Sequence, residues 1–142
     1  MRQGYTLVEL TLVMAVAGLA LGIALPRLAS LRDTLDVEQA AREVVTAHRR
    51  ARLAAILHSR PVVLAVSPDS LAYRLAGAPD RLWRAPGPAR NGVVMASAAR
   101  QVTFSPVGIT TGLANASFRL LRGAASRTVV LSRLGRVRVT RP

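Results

Sequence analysis

The residues with the clearest chemistry in this 142-residue sequence are arginines near its C-terminus. Residues 133–135, Arg-Leu-Gly, suit a three-residue hairpin loop in which Gly135 takes the left-handed backbone conformation. The hairpin then pairs Ser132 with Arg136, Leu131 with Val137, and Val130 with Arg138. Arg136 and Arg138 therefore lie two residues apart on one strand face, with Arg133 at the tip. Guanidinium groups in this arrangement offer forked donors to successive phosphates, which makes the hairpin a candidate phosphate-binding site.

The opposite face of the hairpin is apolar, and its four residues are predicted to face a core: Val129, Leu131, Val137 and Val139. Alternating arginine and valine is also typical of a half-exposed edge strand in any arginine-rich protein. The spacing alone therefore leaves two interpretations open, a phosphate-binding site and an ordinary solvated strand.

Positive charge is concentrated in the C-terminal half of the sequence. All twenty basic side chains are arginines, and seven acidic residues leave a net charge of +13. The last acidic residue is Asp80, whereas eleven arginines lie from Arg81 to Arg141, so residues 81–142 carry +11. A field of one sign attracts polyanions, namely nucleic acid, anionic lipid headgroups or an acidic protein. The arginine could reflect selection for phosphate contacts or an arginine-rich proteome.

Catalysis and metal binding have few candidate residues. His48 and His58 lie ten apart on one predicted helix, about 15 Å from each other, too far to share a metal ion. Both are predicted to be helix-surface or interface residues. Cysteine is absent, Asp69 and Asp80 are the only acids within residues 61–142, and no glycine-rich phosphate loop occurs. The sequence therefore predicts a protein that is not an enzyme and needs no cofactor or metal.

The N-terminal stretch is expected to place the chain at a membrane. Residues 5–25 carry a single charge, Glu9, and are numerous enough for a helix to cross a bilayer. A carboxylate in such a helix is unfavourable by roughly 2.5–3.5 kcal/mol at the membrane centre, and somewhat less near an end, so Glu9 requires a partner. Cleavage after Gly4 would supply one by creating an α-amine at Tyr5. An ordinary signal anchor that carries a glutamate is the alternative.

Beyond Pro26, interpreted as the end of the lipid-embedded half, the pattern becomes amphipathic. One apolar stripe follows the helical period: Leu28, Leu31, Leu35, Val37, Ala41, Val44, Ala51 and Ala55. The helix is expected over residues 5–58 and ends before Pro61. Strands are predicted at residues 62–66, 71–75, 93–95, 101–104, 117–121, 127–132 and 136–140, with a loop at 77–91.

These elements predict an α+β fold in which a long N-terminal helix packs on a small antiparallel sheet. Its parts are a transmembrane half of the helix at 5–26, an amphipathic half at 27–60 and an antiparallel β-sheet domain at 61–142. Six arginines follow the membrane stretch between Arg27 and Arg52, whereas only Arg2 precedes it. Taken alone, that distribution would place the C-terminal domain in the cytoplasm.

The stretch Gly4-Tyr5-Thr6-Leu7-Val8-Glu9-Leu10 resembles the class III signal of type IV pilins and pseudopilins. The resemblance implies that a prepilin peptidase cuts between Gly4 and Tyr5, removes leader residues 1–4 and methylates the new N-terminus. It implies that Glu9 guides assembly with other pilin or pseudopilin subunits. It also implies a single-pass protein of the bacterial inner membrane with its C-terminal domain in the periplasm, assembled into a pilus or pseudopilus. Tyr5 departs from the family pattern, in which phenylalanine is usual.

Three further stretches resemble the GspH/FimT group of pilin-like proteins: Ala51-Arg52-Leu53-Ala54-Ala55, Phe104-x-Pro106-x-Gly108 and Gly135-Arg136-Val137-Arg138. In FimT-like minor pilins a Gly-Arg-x-Arg motif is associated with DNA binding. The match implies sequence-independent DNA binding in natural transformation through Arg133, Gly135, Arg136 and Arg138. Secretion pseudopilins share part of this pattern, so an H-type minor pseudopilin of a type II secretion system is the alternative. Aromatic residues form only 4% of the chain, so base stacking of the kind used to bind single strands is disfavoured and duplex DNA is the favoured ligand.

Overall fold

The computed structural model describes residues 6–111, 116–132 and 134–141. Within these residues the chain forms one long α-helix, α1 (Leu7–Leu57), followed by strands and one short 3₁₀ helix (Pro88–Asn91). The strands are β1 (Val62–Val66), β2 (Ser70–Leu75), β3 (Arg81–Pro86), β4 (Val94–Met95), β5 (Arg100–Phe104), β6 (Thr110–Thr111), β7 (Ala116–Arg122), β8 (Ala125–Leu131) and β9 (Val137–Thr140).

The first compact unit ends at Arg32 and contains the apolar half of α1. From Leu7 to Arg32 every side chain is exposed, and this stretch lies in a helix that is long and apolar enough to cross a membrane. Pro26 lies inside the continuous helix, so it does not terminate α1. Leu28 and Leu31, the first two residues of the predicted apolar stripe, are 61% and 55% exposed, so this part of the stripe does not pack on the sheets. They continue the exposed apolar surface of the membrane half instead.

The second compact unit, residues 33–142, holds the core. Its part of α1 buries one face at intervals of three and four residues, beginning at Val37 and consisting mostly of alanines. Leu35, the remaining leucine of the predicted stripe, is 57% exposed and lies off this face. Larger side chains complete the core, among them Leu64, Phe104, Phe118 and Leu120. The small helix residues let these bulky sheet residues fill the space between the layers.

Two antiparallel sheets replace the single sheet that the sequence predicts. One has the order β3-β2-β1-β5-β6 and the other the order β4-β7-β8-β9. The chain leaves the first sheet after β6, and β7 then pairs with β4 on one side and β8 on the other. Alternation of polar and apolar residues identifies strands but carries no information about which strands become neighbours, and this is why the prediction missed the division.

Residues 77–91 were expected to form a loop, and this prediction is wrong. They contain β3, which pairs with β2 and places Trp83 opposite Tyr73, and then the 3₁₀ helix. Prolines in this segment suggested a loop, but β3 is an edge strand and has Pro86 as its last residue. An edge strand tolerates proline because one row of its backbone groups needs no partner.

Candidate nucleic-acid interface

The C-terminal hairpin has the register that the sequence predicts. Val130 pairs with Arg138 and Leu131 with Val137. The Ser132 amide donates a hydrogen bond to the carbonyl of Arg136 at 2.8 Å, which closes the loop. Gly135 has a φ of +70°, the left-handed value that favours glycine. Arg133, the predicted tip residue, lies outside the described residues.

The loop of the hairpin is held against a second turn and against α1. Gly135 is buried, and a Cβ at this position would lie 2.7 Å from the carbonyl oxygen of Gly108 and 3.4 Å from Nε of Arg52. Gly108 closes its own turn by donating from its amide to the carbonyl of Ser105 at 2.8 Å. The three stretches that resemble the GspH/FimT group are therefore brought together around the Arg52 side chain.

Arg136 and Arg138 are both exposed, as the strand alternation predicts. Strand register also places Arg119 on the same outer face, because Arg119 pairs with Thr128 and Thr128 with Thr140, two residues beyond Arg138. Arg119 is exposed as well. Sequence reasoning missed it, although the alternation of residues 117–120 around Phe118 indicates that Arg119 points away from the core.

The predicted apolar face of the hairpin is only partly buried. Val129 and Leu131 are buried, Val137 is half-buried and Val139 is 43% exposed. Val139 pairs with the buried Val129 and so shares its face, as predicted, but it is only partly covered there. The strand that carries Val139, β9, is at the edge of its sheet and has a neighbouring strand, β8, on one side only.

One arginine of the basic half is neutralised by ion pairs. Nε of Arg122 lies 2.8 Å from Oδ1 of Asp33, and its NH1 group lies 2.8 Å from Oδ2 of Asp36. The same guanidinium donates to the carbonyl of Asn91. The two carboxylates belong to α1 and the arginine to β7. Asp33 and Arg122 are 89 residues apart in the sequence. This arginine supports the fold and is not available to a polyanion.

His48 is buried in the core, so its predicted position at the surface or an interface is wrong. Its ring lies edge-on to Phe104, with 5.0 Å between centroids, and neither ring nitrogen has a hydrogen-bond partner. Burial, and then the positive charges of Arg52 and Arg49, lower its pKa from 6.5 to about 4. His58 is exposed. Among the described residues no three histidine or acidic side chains cluster in a way that could hold a metal ion.

At the N-terminal end, Thr6 caps α1. Its Oγ1 accepts a hydrogen bond from the Glu9 amide at 3.2 Å, the first half of a capping box. The Glu9 side chain is exposed in the first helical turn, where a negative charge suits the helix dipole. Gly4 and Tyr5 lie outside the described residues, so their predicted roles stay predictions.

A long apolar helix, continued into a half that packs on antiparallel sheets, defines a type IV pilin-like subunit, and sequence comparison agrees. The family model described as "Type II transport protein GspH" matches residues 40–135. The "Pilin-like protein PilA1" of Thermus thermophilus is 34% identical over 155 aligned positions, which cover 97% of this chain and 98% of that protein. The chain belongs to the GspH family of type IV pilin-like proteins.

Solved structures share the fold. The type IV minor pilin FimU of Pseudomonas aeruginosa (strain PAO1) in space group P21 superposes with a TM-score of 0.60 at 18% identity, over 73% of this chain and 87% of that one. Its structure in space group P65 gives 0.59 at 19% identity, over 72% and 91%. Family and fold together support a structural role as a minor pilin or pseudopilin that is membrane-anchored and assembles with other subunits.

Proposed function

We propose that this chain is a minor type IV pilin that captures DNA on its C-terminal hairpin during natural transformation. The observation that carries the proposal is the exposure of two arginines on one face of the hairpin: Arg136, directly before β9, and Arg138, within it. Arg119 extends that face, and no acidic residue follows Asp80 in the sequence. We call the three arginines the hairpin face. Such a surface favours the phosphate backbone and is blind to base sequence.

The hairpin face is suited to phosphates by geometry as well as charge. Residues two apart on a strand are separated by about 6.8 Å, so Arg136 and Arg138 can contact different phosphates of one strand. Among the described residues, neither arginine forms an ion pair with a carboxylate. The buried loop at Gly135 fixes where the arginine-bearing strand begins. The two guanidinium groups therefore extend from a backbone whose position is fixed by the buried loop at Gly135.

Duplex binding tests the proposal. The full chain in micelles of an uncharged detergent should bind a short DNA duplex with a Kd in the micromolar range at low salt. Replacing both arginines, Arg136→Gln with Arg138→Gln, should weaken binding about tenfold, since two charged contacts are lost. Fluorescence anisotropy of a labelled duplex measures both constants.

The matched control is Arg81→Gln with Arg84→Gln. These two exposed arginines lie on β3 in the other sheet, so the control removes the same charge without touching the hairpin face. It should leave the affinity within about twofold of the wild-type value. Equal losses in the two double variants would mean that diffuse charge, and not the hairpin, holds the DNA.

A second candidate function is that of a minor pseudopilin in a type II secretion system. The description of the matching family, a type II transport protein, favours it. In that function the hairpin face would contact a neighbouring subunit. Absence of duplex binding at low salt, with copurification of secretion pseudopilins, would decide for this candidate.

We also propose that prepilin peptidase removes residues 1–4 and methylates Tyr5. The Gly4-Tyr5 junction and Glu9 match the family signal, and α1 supplies the apolar helix that follows such a signal. Intact-mass analysis of membrane-extracted protein should give a chain that begins at Tyr5 and carries one methyl group. A mass that includes Met1 would contradict processing.

The C-terminal domain is proposed to lie in the periplasm. A reporter enzyme that is active only outside the cytoplasm, fused after the last residue, should be active. An inactive reporter would instead support the orientation that the arginine distribution around the membrane stretch favours.

A further inference from the structure

A groove of about 350 Å³ lies between α1 and the edge strand β3, away from the hairpin residues. Its lining combines one aromatic side chain, Trp83, with three arginines, Arg42, Arg50 and Arg90. Gln39 and Glu43 add hydrogen-bonding groups from α1. Nucleic-acid strands carry planar bases and negatively charged phosphates together. Trp83 can stack on a base, and the arginines of the lining can bind phosphates.

The aromatic part of the groove is held in place. Trp83 stacks on Tyr73, its partner in the β2–β3 register, with 5.6 Å between ring centroids and 21° between ring planes. The indole is half-buried, so part of it remains open to the groove. The exposed Arg50 side chain lies over it, with the guanidinium carbon 5.2 Å from the ring centroid. The indole of Trp83 is therefore a fixed ring, and the side chain that now covers it is the exposed Arg50.

The groove has an excess of positive charge. Arg42 pairs with Glu38 at 3.5 Å, but its side chain remains 78% exposed. Among the described residues, Arg50 and Arg90 form no ion pair with a carboxylate. Of the described residues that line the groove, only Glu43 is acidic, and it accepts a hydrogen bond from Nε2 of Gln39 at 3.1 Å.

We propose that this groove binds one unpaired nucleotide of single-stranded DNA. The base stacks on Trp83 in the position that Arg50 now covers, and Arg50 and Arg90 bind the flanking phosphates. Gln39 and Glu43 face the polar edge of the base. The exchange is favourable because stacking of a base on an aromatic ring is stronger than an exposed cation–π contact, and because Arg50 gains a phosphate.

The proposal deepens the DNA-binding function proposed above and rests on it for its setting. The hairpin face would hold duplex, and the groove would hold a frayed end or a single strand. An acidic peptide could use the arginines of the groove, but it would have no use for a stacked, half-exposed indole. The aromatic ring is therefore what favours a nucleotide over a peptide.

Trp83 is the only tryptophan in the chain, so its fluorescence reports the groove directly. Addition of the tetranucleotide dT4 to the full chain in uncharged micelles should quench this fluorescence at low salt. An abasic tetranucleotide with the same number of phosphates should bind about tenfold more weakly, since it lacks the stacking base. Equal binding of the abasic molecule, or no quenching by dT4, would overturn the proposal.

Two substitutions localise the effect. Arg90→Gln should weaken dT4 binding about threefold, because one exposed charge contact is lost. Arg84→Gln, which removes an exposed arginine of β3 that does not line the groove, should leave dT4 binding unchanged. Equal weakening by the two would assign the binding to diffuse charge. Trp83→Ala, followed by anisotropy of labelled dT4, should weaken binding about tenfold, and retained affinity would overturn the stacking assignment.

Two further measurements separate the alternatives. A tetraglutamate peptide that quenches Trp83 as strongly as dT4 does would show an acidic-peptide site and overturn the nucleotide assignment. Arg136→Gln with Arg138→Gln should weaken duplex binding and leave dT4 quenching unchanged. Loss of quenching in that variant would overturn an independent groove site. If the wild-type chain did not bind duplex but dT4 still quenched its Trp83 fluorescence, only the proposal of duplex binding by the hairpin face would be contradicted.

Discussion

The imidazole of His48 lies in the core without a hydrogen-bond partner. Its pKa of about 4 in the folded chain lies below the ordinary value of 6.5. Between these values the unfolded chain binds a proton that the folded chain does not. The stability that neutral His48 provides is therefore complete above about pH 6.5 and is lost as the pH falls toward 4.

We expect this residue to lower the free energy of unfolding by about 3 kcal/mol between pH 7 and pH 4. Urea unfolding followed by Trp83 fluorescence measures the change. The control is His48→Leu, which places an apolar side chain at the buried site and removes the titrating group. The other titrating groups affect both proteins, so the difference between the two pH profiles isolates His48. Parallel profiles would contradict a buried neutral imidazole.

Glu9 is expected to matter for assembly and not for insertion. In Glu9→Gln the amine proposed at Tyr5 loses its counter-charge in lipid, which costs somewhat less than the roughly 2.5–3.5 kcal/mol of a charge at the membrane centre, because Tyr5 is near the helix end. Incorporation into sheared filaments should fall more than about tenfold, whereas the amount in the membrane should not change. Glu38→Gln, a neutral substitution on the amphipathic half of the same helix, is the control. Quantitative immunoblots of both fractions would refute the docking role if Glu9→Gln and wild type were incorporated equally.

Single residues differ in how far the sequence could predict them. Exposure of Arg136 and Arg138 follows from strand alternation, which is a local property. The partnership of Arg122 with Asp33 and Asp36 joins residues about ninety positions apart, and no local pattern encodes it. Burial of His48 was also missed, because a polar residue on a helix is expected at the surface unless its tertiary neighbours are known.

Among the elements, the hairpin loop depends most clearly on one glycine. Gly135 has a φ of +70°, and a Cβ there would lie 2.7 Å from the Gly108 carbonyl oxygen. Gly135→Ala should therefore lower the free energy of unfolding by about 2–4 kcal/mol, from backbone strain and overpacking together. Urea unfolding of the full chain in micelles measures the effect.

The matched control for this substitution is Gly77→Ala. Gly77 has a φ of +80°, but a Cβ there would have no neighbour within 4 Å. It should lose only the backbone contribution, about 1–2 kcal/mol. Equal losses at the two positions would show that the hairpin loop does not press on the turn at Gly108.

Most elements could be predicted from local patterns, and the failures share one cause. The long helix, the β1–β2 hairpin and the C-terminal hairpin follow from periodicity and turn residues. The strand β3 was missed because its prolines indicate a loop unless the strand is known to be an edge. Leu28, Leu31 and Leu35 fit a helical period, but periodicity cannot tell a face that packs on the chain's own sheet from one that remains exposed.

At the scale of the whole molecule, the family and the α+β class could be predicted from the sequence, and the division into two sheets could not. The division bears on function because it assigns the two basic surfaces to different sheets. The hairpin face belongs to the sheet of β7, β8 and β9, whereas Trp83 of the groove belongs to the sheet of β3. Each surface can therefore be altered without changing the strand that carries the other.

The salt dependence of duplex binding tests the central claim, phosphate capture by the hairpin face, most directly. Each neutralised phosphate contributes about 0.9 to the slope of log K against log salt concentration. Arg136→Gln with Arg138→Gln should therefore flatten the wild-type slope by about 1.8, whereas Arg81→Gln with Arg84→Gln should leave it unchanged. A slope that is the same in wild type and in the hairpin variant would contradict phosphate contacts by these two arginines.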